Sequence, residues 1–188
     1  MREHIKNYQK KLFNTLEDKN LYSQIEKLYN EILIAWRNKK NIFICGNGGS
    51  GGNAIHIAND FIYGAGITNN SGLKIEALTS NQSVITCLAN DLGYENIFSE
   101  QLKVKATEND ILIILSGSGN SKNVLKAIEI GNSMKMKTFA LLGFDGGKSK
   151  GLAQNVIHFK INDMQVAEDL QLIVMHIIMQ KLSKISLK

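Results

Sequence analysis

The sequence predicts a doubly wound α/β fold built on a five-stranded parallel sheet, and three observations predict it. Short apolar runs of strand length punctuate the chain: IFIC (42–45), KIEAL (74–78), ILIIL (111–115), TFALL (138–142) and VIHFKI (156–161). Between them lie stretches with apolar residues at helical spacing. Two of the strands run straight into glycine- and serine-rich loops, GNGGSGGN and SGSGNSKN. Apolar strands alternating with crossover helices form parallel sheets covered on both faces.

Taken in order, residues 3–18 and 21–39 are polar with an apolar stripe (Leu21, Ile25, Leu28, Ile32, Leu33, Trp36), which predicts two amphipathic helices. They form a helical extension over 1–40, ahead of an α/β core over 41–188. Within the core, helices are expected over 53–63, in stretches over 82–104, at 122–134, briefly near 147–153, and from about 166 to 184. The last helix carries Leu170, Ile173, Val174, Ile177, Ile178 and Leu182, an apolar face suited either to the sheet or to a subunit interface.

With 188 residues and no Pro/Ser-rich linker, the chain is expected to be a single domain over 1–188 with a substantial core. Its 22 Lys+Arg against 17 Asp+Glu are spread along the chain, without a basic cluster interleaved with aromatics. That argues against nucleic acid as a partner and leaves small anionic substrates compatible. Cys45 and Cys87 sit in apolar stretches without C-x-x-C spacing, so buried free thiols in a reducing cytosol are expected. The sequence has neither a signal-peptide core near its start nor an apolar run of membrane-spanning length. A soluble, cytoplasmic protein with no membrane partner is the expectation.

In open α/β sheets ligands sit outside the carboxyl ends of the strands, where the connections diverge. Both glycine-rich loops have the composition of phosphate cradles: glycines admit an anion to the backbone N–H groups, serines add hydroxyls, and a helix start follows. The first also satisfies G-x-G-x-x-G through Gly46, Gly48 and Gly51. A dinucleotide site wants an acidic residue at the end of the second strand, whereas Glu76 lies inside KIEAL. The second loop offers Ser116, Ser118 and Ser121 within six residues, which suits a compact phosphate monoester better than a pyrophosphate.

The combination CGNGGSGGNAIHIANDF, TCLANDLGYENIFSEQL, LSGSGNSKNVLKAIEIG and LLGFDGGKSKGLA resembles a sugar isomerase (SIS) domain, specifically the phosphoheptose (sedoheptulose 7-phosphate) isomerase group. The resemblance covers nearly the whole chain. It implies the five-stranded fold, a homotetramer, and conversion of sedoheptulose 7-phosphate to D-glycero-D-manno-heptose 7-phosphate on the way to bacterial surface heptose. Moving a carbonyl between C2 and C1 needs a base, an acid and an enediol between them.

His56 and Asp60 stand four apart, on one face of a helix, and Glu168 and His176 lie on the last helix. The resemblance implies that these four bind a divalent metal, usually zinc, and that Asp60 and His176 are also acid/base groups. Asp60 and Glu168 replace the family's Glu and Gln. The first exchange shortens the arm by roughly 1.5 Å, and the second keeps an oxygen ligand while adding charge. Apart from the resemblance, Asp60 also reads as a surface carboxylate and His176, among apolar neighbours, as a core or interface histidine. Eight residues of straight helix separate Glu168 from His176 by about 12 Å. They share one ion within a chain only where the segment near Glu168 is irregular; otherwise a neighbouring subunit supplies one, with active sites between subunits.

The resemblance further implies that Asn47, Gly48, Gly49 and Ser50, with Asn90, Asp91 and Glu168, face the sugar, and that Ser116, Ser118 and Ser121 hold the phosphate. Gly117 stands where the family carries Thr, and Gln165 where it often carries Asp. The alternatives are a non-catalytic tetramer of the same fold that binds a protein such as the replication initiator, and an isomerase of another ketose phosphate. A sugar-sensing transcription regulator would need a helix-turn-helix pattern, which the first 40 residues lack.

Overall fold

The computed structural model describes residues 1–66 and 71–186. Helices α1 (Arg2–Leu16) and α2 (Lys19–Arg37) precede β1 (Asn41–Cys45) and α3 (Gly48–Tyr63). There follow β2 (Lys74–Ala77), α4 (Gln82–Leu92), a 3-10 turn (Tyr94–Asn96), α5 (Ser99–Lys105), β3 (Ile111–Ser116) and α6 (Lys122–Ser133). The chain then forms β4 (Lys137–Leu142), α7 (Ser149–Leu152), β5 (Asn155–His158) and α8 (Met164–Leu182).

The five strands pair in parallel in the order β2-β1-β3-β4-β5. The fold class is therefore the predicted one. The chain leaves β1 towards β2 and later returns on the other side of β1 as β3, so the switch point lies between β1 and β3. Both glycine-rich loops leave the sheet there, side by side.

Strand alternation divides the core in two. Ile42, Ile44, Ile111, Ile113, Leu115, Phe139 and Leu141 pack against α2, α3 and α8. Phe43, Leu112, Ile114, Ala140 and Leu142 pack with residues of α5 and α6 on the other face. Of the apolar face predicted on the last helix, Leu170, Val174, Ile178 and Leu182 are buried while Ile177 is half exposed. Each of the four contributes about 1.5–3 kcal/mol by burial. Asp163 caps α8 by accepting from the Val166 N–H, and α1, which buries none of its residues, is tied to this end by Lys11–Asp163 (2.7 Å) and Tyr8–Asp169 (2.6 Å).

Three expectations are corrected. Helix α3 begins at Gly48, not near residue 53, so most of the expected first loop is helix. Glycine is a poor helix former, but close packing outweighs propensity here. Within the helix, a Cβ on Gly49 would overlap the Glu168 carboxylate and one on Gly51 would stand 2.9 Å from the Gly46 carbonyl oxygen; just ahead of it, a Cβ on Gly46 would stand 2.6 Å from the Leu115 carbonyl oxygen. The last strand stops at His158, short of residue 161. Cys45 is buried as expected, but Cys87 is exposed on α4, where the Asp91 carboxylate that its thiol meets raises its pKa. Among the described residues no helix is long and apolar enough to cross a membrane.

Candidate active site

Helices α3 and α8 lie against each other and run in the same direction. Gly49 meets Glu168, Asn53 meets Gln171, and His56 meets His176, pairs separated by 119, 118 and 120 positions. Because both helices start at the carboxyl edge of the sheet, the seam between them leads from the switch-point crevice down the side of the molecule.

At the seam's first level, Glu168 lays its carboxylate against the Cα of Gly49. One turn down is a buried amide relay: Asn53 donates to the Glu168 carbonyl (3.0 Å) and to Gln171 Oε1 (3.1 Å), while Gln171 Nε2 donates to Ser50 Oγ (3.2 Å). Gln171 is fully buried, and Ser50 is 3% exposed with its hydroxyl engaged by Gln171. Asn53 and Gln171 stand outside the site residues expected from the sequence. The signal that marks them is an amide on the buried side of an apolar helix, because it must find partners there.

About one further turn down, His56, Asp60 and His176 converge. Nε2 of His56 is 3.0 Å from Nε2 of His176, and Oδ2 of Asp60 is 3.5 Å from the first and 3.3 Å from the second. The rings meet edge to face, 5.1 Å between centroids. Among the described residues this is the one group of three whose ligand atoms all lie within 4.8 Å of one another. Tetrahedral zinc, bonded to nitrogen and oxygen at about 2.0–2.1 Å, holds its ligands roughly 3.3 Å apart. The three observed edges fit that spacing, so the residues present suit such an ion. The shorter arm of Asp60 still reaches both imidazoles.

Glu168 does not join them within the chain. Helix α8 is regular from Met164, so the eight residues to His176 are helical and place Glu168 about two turns away, at the level of Gly49. The four-residue set expected from the sequence is thus three residues in one chain.

On the other side of the crevice, Ser116 Oγ accepts from the Gly119 N–H (3.0 Å), and Ser118 Oγ accepts from the Asn120 N–H at 3.3 Å. Ser121 is the N-cap residue of α6, yet its hydroxyl makes no capping bond. At Gly117, a Cβ would overlap the Met164 sulfur, so Met164 fills the room a threonine would need. Asn47 pairs reciprocally with Asn123, and Tyr94 donates to it. Asn90 and Asp91 are exposed in the last turn of α4, Asn90 donating to Asp91 Oδ1 (2.7 Å). Glu76, weighed for a ribose, is engaged by Lys105.

Residues 4–143 match the family model described as SIS domain. The chain belongs to the SIS domain family. This SIS chain is 40% identical over 141 residues to the phosphoheptose isomerase of Helicobacter pylori strain HPAG1, covering 75% of this chain and 73% of that one. It is 37% identical over 172 residues to the phosphoheptose isomerase of Vibrio vulnificus strain CMCP6, covering 90% and 88%. It groups with the phosphoheptose isomerases of the family, as its motifs led one to expect. In fold, it matches the solved phosphoheptose isomerase of Neisseria gonorrhoeae with a TM-score of 0.89 over 98% of this chain and 97% of that one, at 24% identity.

Proposed function

We propose that this chain isomerises sedoheptulose 7-phosphate to D-glycero-D-manno-heptose 7-phosphate through an enediol, supplying heptose for bacterial lipopolysaccharide or capsule. Its class, a phosphosugar isomerase, follows from its family. The observation that carries the finer reading is the convergence of His56, Asp60 and His176 about two helical turns along the α3–α8 seam from a switch-point crevice whose other wall is rich in serine hydroxyls.

The two helix starts at the crevice are not equivalent. Glu168 already sets a carboxylate against the first turn of α3, whereas α6 starts at a serine whose hydroxyl is not spent on capping. An anion is favoured at a helix N-terminus and disfavoured beside a carboxylate. Phosphate therefore belongs to Ser116, Ser118 and Ser121, and the first loop to the uncharged sugar. Asn47, Gly48, Gly49, Asn90 and Asp91 line the sugar's side in this reading.

Asp60 turns Oδ2 to the imidazoles, while Oδ1 accepts only a 3.4 Å contact from Asn59. In this reading Oδ1 takes a proton from the sugar, with His176 as its acid/base partner. His56, Asp60 and His176 would hold zinc, which when bound polarises a carbonyl oxygen. In a homotetramer, Glu168 of a neighbouring subunit would complete the set, and the half-exposed Ile55, Ile62 and Ile177 near the triad fit such a contact. The working unit in this reading is one cytoplasmic domain, repeated four times.

The test is incubation with sedoheptulose 7-phosphate in deuterated water, following C1 exchange and aldose formation by NMR, with and without chelator. Exchange that chelation abolishes and zinc restores is expected. No exchange with any metal would leave the non-catalytic binding protein as the better reading, and exchange only with another ketose phosphate would reassign the substrate.

A further inference from the structure

The serine wall of the crevice takes its shape from two successive peptide groups, 118–119 and 119–120, whose four polar ends are all bonded. The two N–H groups go to serine: the Gly119 N–H donates to Ser116 Oγ (3.0 Å) and the Asn120 N–H to Ser118 Oγ (3.3 Å). The two carbonyls are held from elsewhere. Ser118 O accepts from Asn120 Nδ2 (3.1 Å). Gly119 O accepts from both the N–H (2.9 Å) and the hydroxyl (2.8 Å) of Ser149, the first residue of α7.

The Asn120 amide has only one orientation that fits. A carbonyl only accepts and a backbone N–H only donates, so the atom facing Ser118 O is the nitrogen and the atom facing the Lys148 N–H (3.0 Å) is the oxygen. The amide lies against Gly147, where a Cβ would stand 2.7 Å from its Cγ and its Nδ2. A Cβ on Gly119, at φ +64°, would overlap the Gly146 carbonyl oxygen. Ser149 is fully buried. Residues 146–149, between β4 and α7, thus form a mould into which the serine loop fits.

A peptide group is planar and rigid, so holding its oxygen also sets the direction of its N–H. Asn120 acts in this way on the Gly119 N–H, and so on Ser116; Ser149 acts on the Asn120 N–H, and so on Ser118. A hydroxyl that accepts a hydrogen bond keeps its own proton, and among the described residues neither Ser116 nor Ser118 donates it. We propose that Asn120 and Ser149 are positioning residues for phosphate, which hold the two peptide groups so that Ser116 and Ser118 are left with hydroxyl protons to donate to the anion. Both N–H groups are spent on the serines, so at this wall hydroxyls hold the phosphate and these two amides do not. The proposal rests on the phosphate assignment above and extends the site to a segment that does not itself touch the substrate.

The test replaces Asn120 by Ala and, separately, Ser149 by Ala, and measures KM for sedoheptulose 7-phosphate and the inhibition constant of inorganic phosphate beside kcat. Asn120 is exposed, so its variant carries the test even where removal of the buried Ser149 hydroxyl loosens α7. In each variant the two constants are expected to rise together by roughly three- to tenfold, the worth of one uncharged hydrogen bond, with a smaller change in kcat. Since each residue acts through one serine, Asn120→Ala added to Ser116→Ala, and Ser149→Ala added to Ser118→Ala, should change the phosphate constant by less than about twofold. An unchanged phosphate constant in Asn120→Ala overturns the proposal, as does full additivity in the two pairs, because a general loosening would add to the loss of a serine. Either result in a protein that turns over a sugar phosphate leaves the functional reading standing. Wild-type protein that neither binds nor turns over any sugar phosphate overturns that reading and this proposal with it.

Discussion

His56 and His176 face each other nitrogen to nitrogen, Nε2 to Nε2 at 3.0 Å, with the Asp60 carboxylate closing the triangle. Two imidazole nitrogens hold this separation when a proton sits on one of them or a cation lies between them. Both side chains are substantially exposed, so replacing either should cost little stability, within about 0.5 kcal/mol. His56→Ala and His176→Ala are each expected to lose bound zinc and to lower activity by more than the roughly 10- to 100-fold that removal of a supporting contact costs. Zinc stoichiometry by elemental analysis beside a turnover assay checks this; full zinc occupancy in either variant would remove the triad as the metal site.

Asp60 separates charge from shape. Asp60→Asn keeps the outline of the side chain and removes its basicity, so an unchanged melting temperature with about 100- to 10,000-fold less turnover is expected. Lengthening it is a different experiment. Since Oδ2 already reaches both imidazoles, Asp60→Glu adds a methylene where none is needed and is expected to bring no gain in kcat. A large gain would mean that the arm is too short after all.

The contact of Gly49 with Glu168 makes a matched pair of substitutions informative. Gly49→Ala inserts a methyl into the space of the carboxylate and is expected to destabilise by about 1–3 kcal/mol, as overpacking does. Combining it with Glu168→Ala should recover most of that loss. Urea unfolding of the two single variants and the double measures the coupling; additive effects would show that the carboxylate is not what Gly49 accommodates.

The α1–α8 clasp has its own pH window. Burial and then the hydrogen bond to Asp169 push the Tyr8 phenol from 10.0 up to about 12. The folded state thus favours the protonated phenol, and this contribution is complete below pH 10 and is lost as pH rises through about 12. Asp163 goes the other way: the Lys11 ammonium, and then the Val166 N–H, outweigh burial and hold it below 3.8. Its contribution is present above 3.8 and is lost as pH falls through the lower folded value. Thermal stability against pH should lose its alkaline limb selectively in Tyr8→Phe and part of its acid limb in Asp163→Asn, as differential melting curves would reveal.

Most of the fold was legible because strand runs such as ILIIL and the stripe Leu21–Leu28–Ile32–Trp36 encode burial in their spacing alone. The first glycine loop is shorter than its composition predicts, for a physical reason. Gly49, inside the helix, and Gly46, just ahead of it, answer to neighbours distant in sequence, Glu168 and Leu115. In the candidate site, the i, i+4 placement of His56 and Asp60 was visible locally, and their meeting with His176 depended on the family resemblance. Nothing local announces the partners of Asn53, Gln171, Asn123 or Tyr94, since each is bonded to a different element. Cys87 departs from the expected burial because its apolar neighbours are on a helix that buries none of its residues.

The side-by-side course of α3 and α8 makes the pair behave like a vernier scale. Three marks coincide at once: the bare Gly49 against a carboxylate, an amide against an amide, and imidazole against imidazole. Sliding either helix by one turn, 5.4 Å, would misalign all three together. An error introduced at the crevice end is therefore legible at the far end, two turns away. If the triad holds zinc as proposed, metal affinity would gauge helix alignment as well as the ligands themselves.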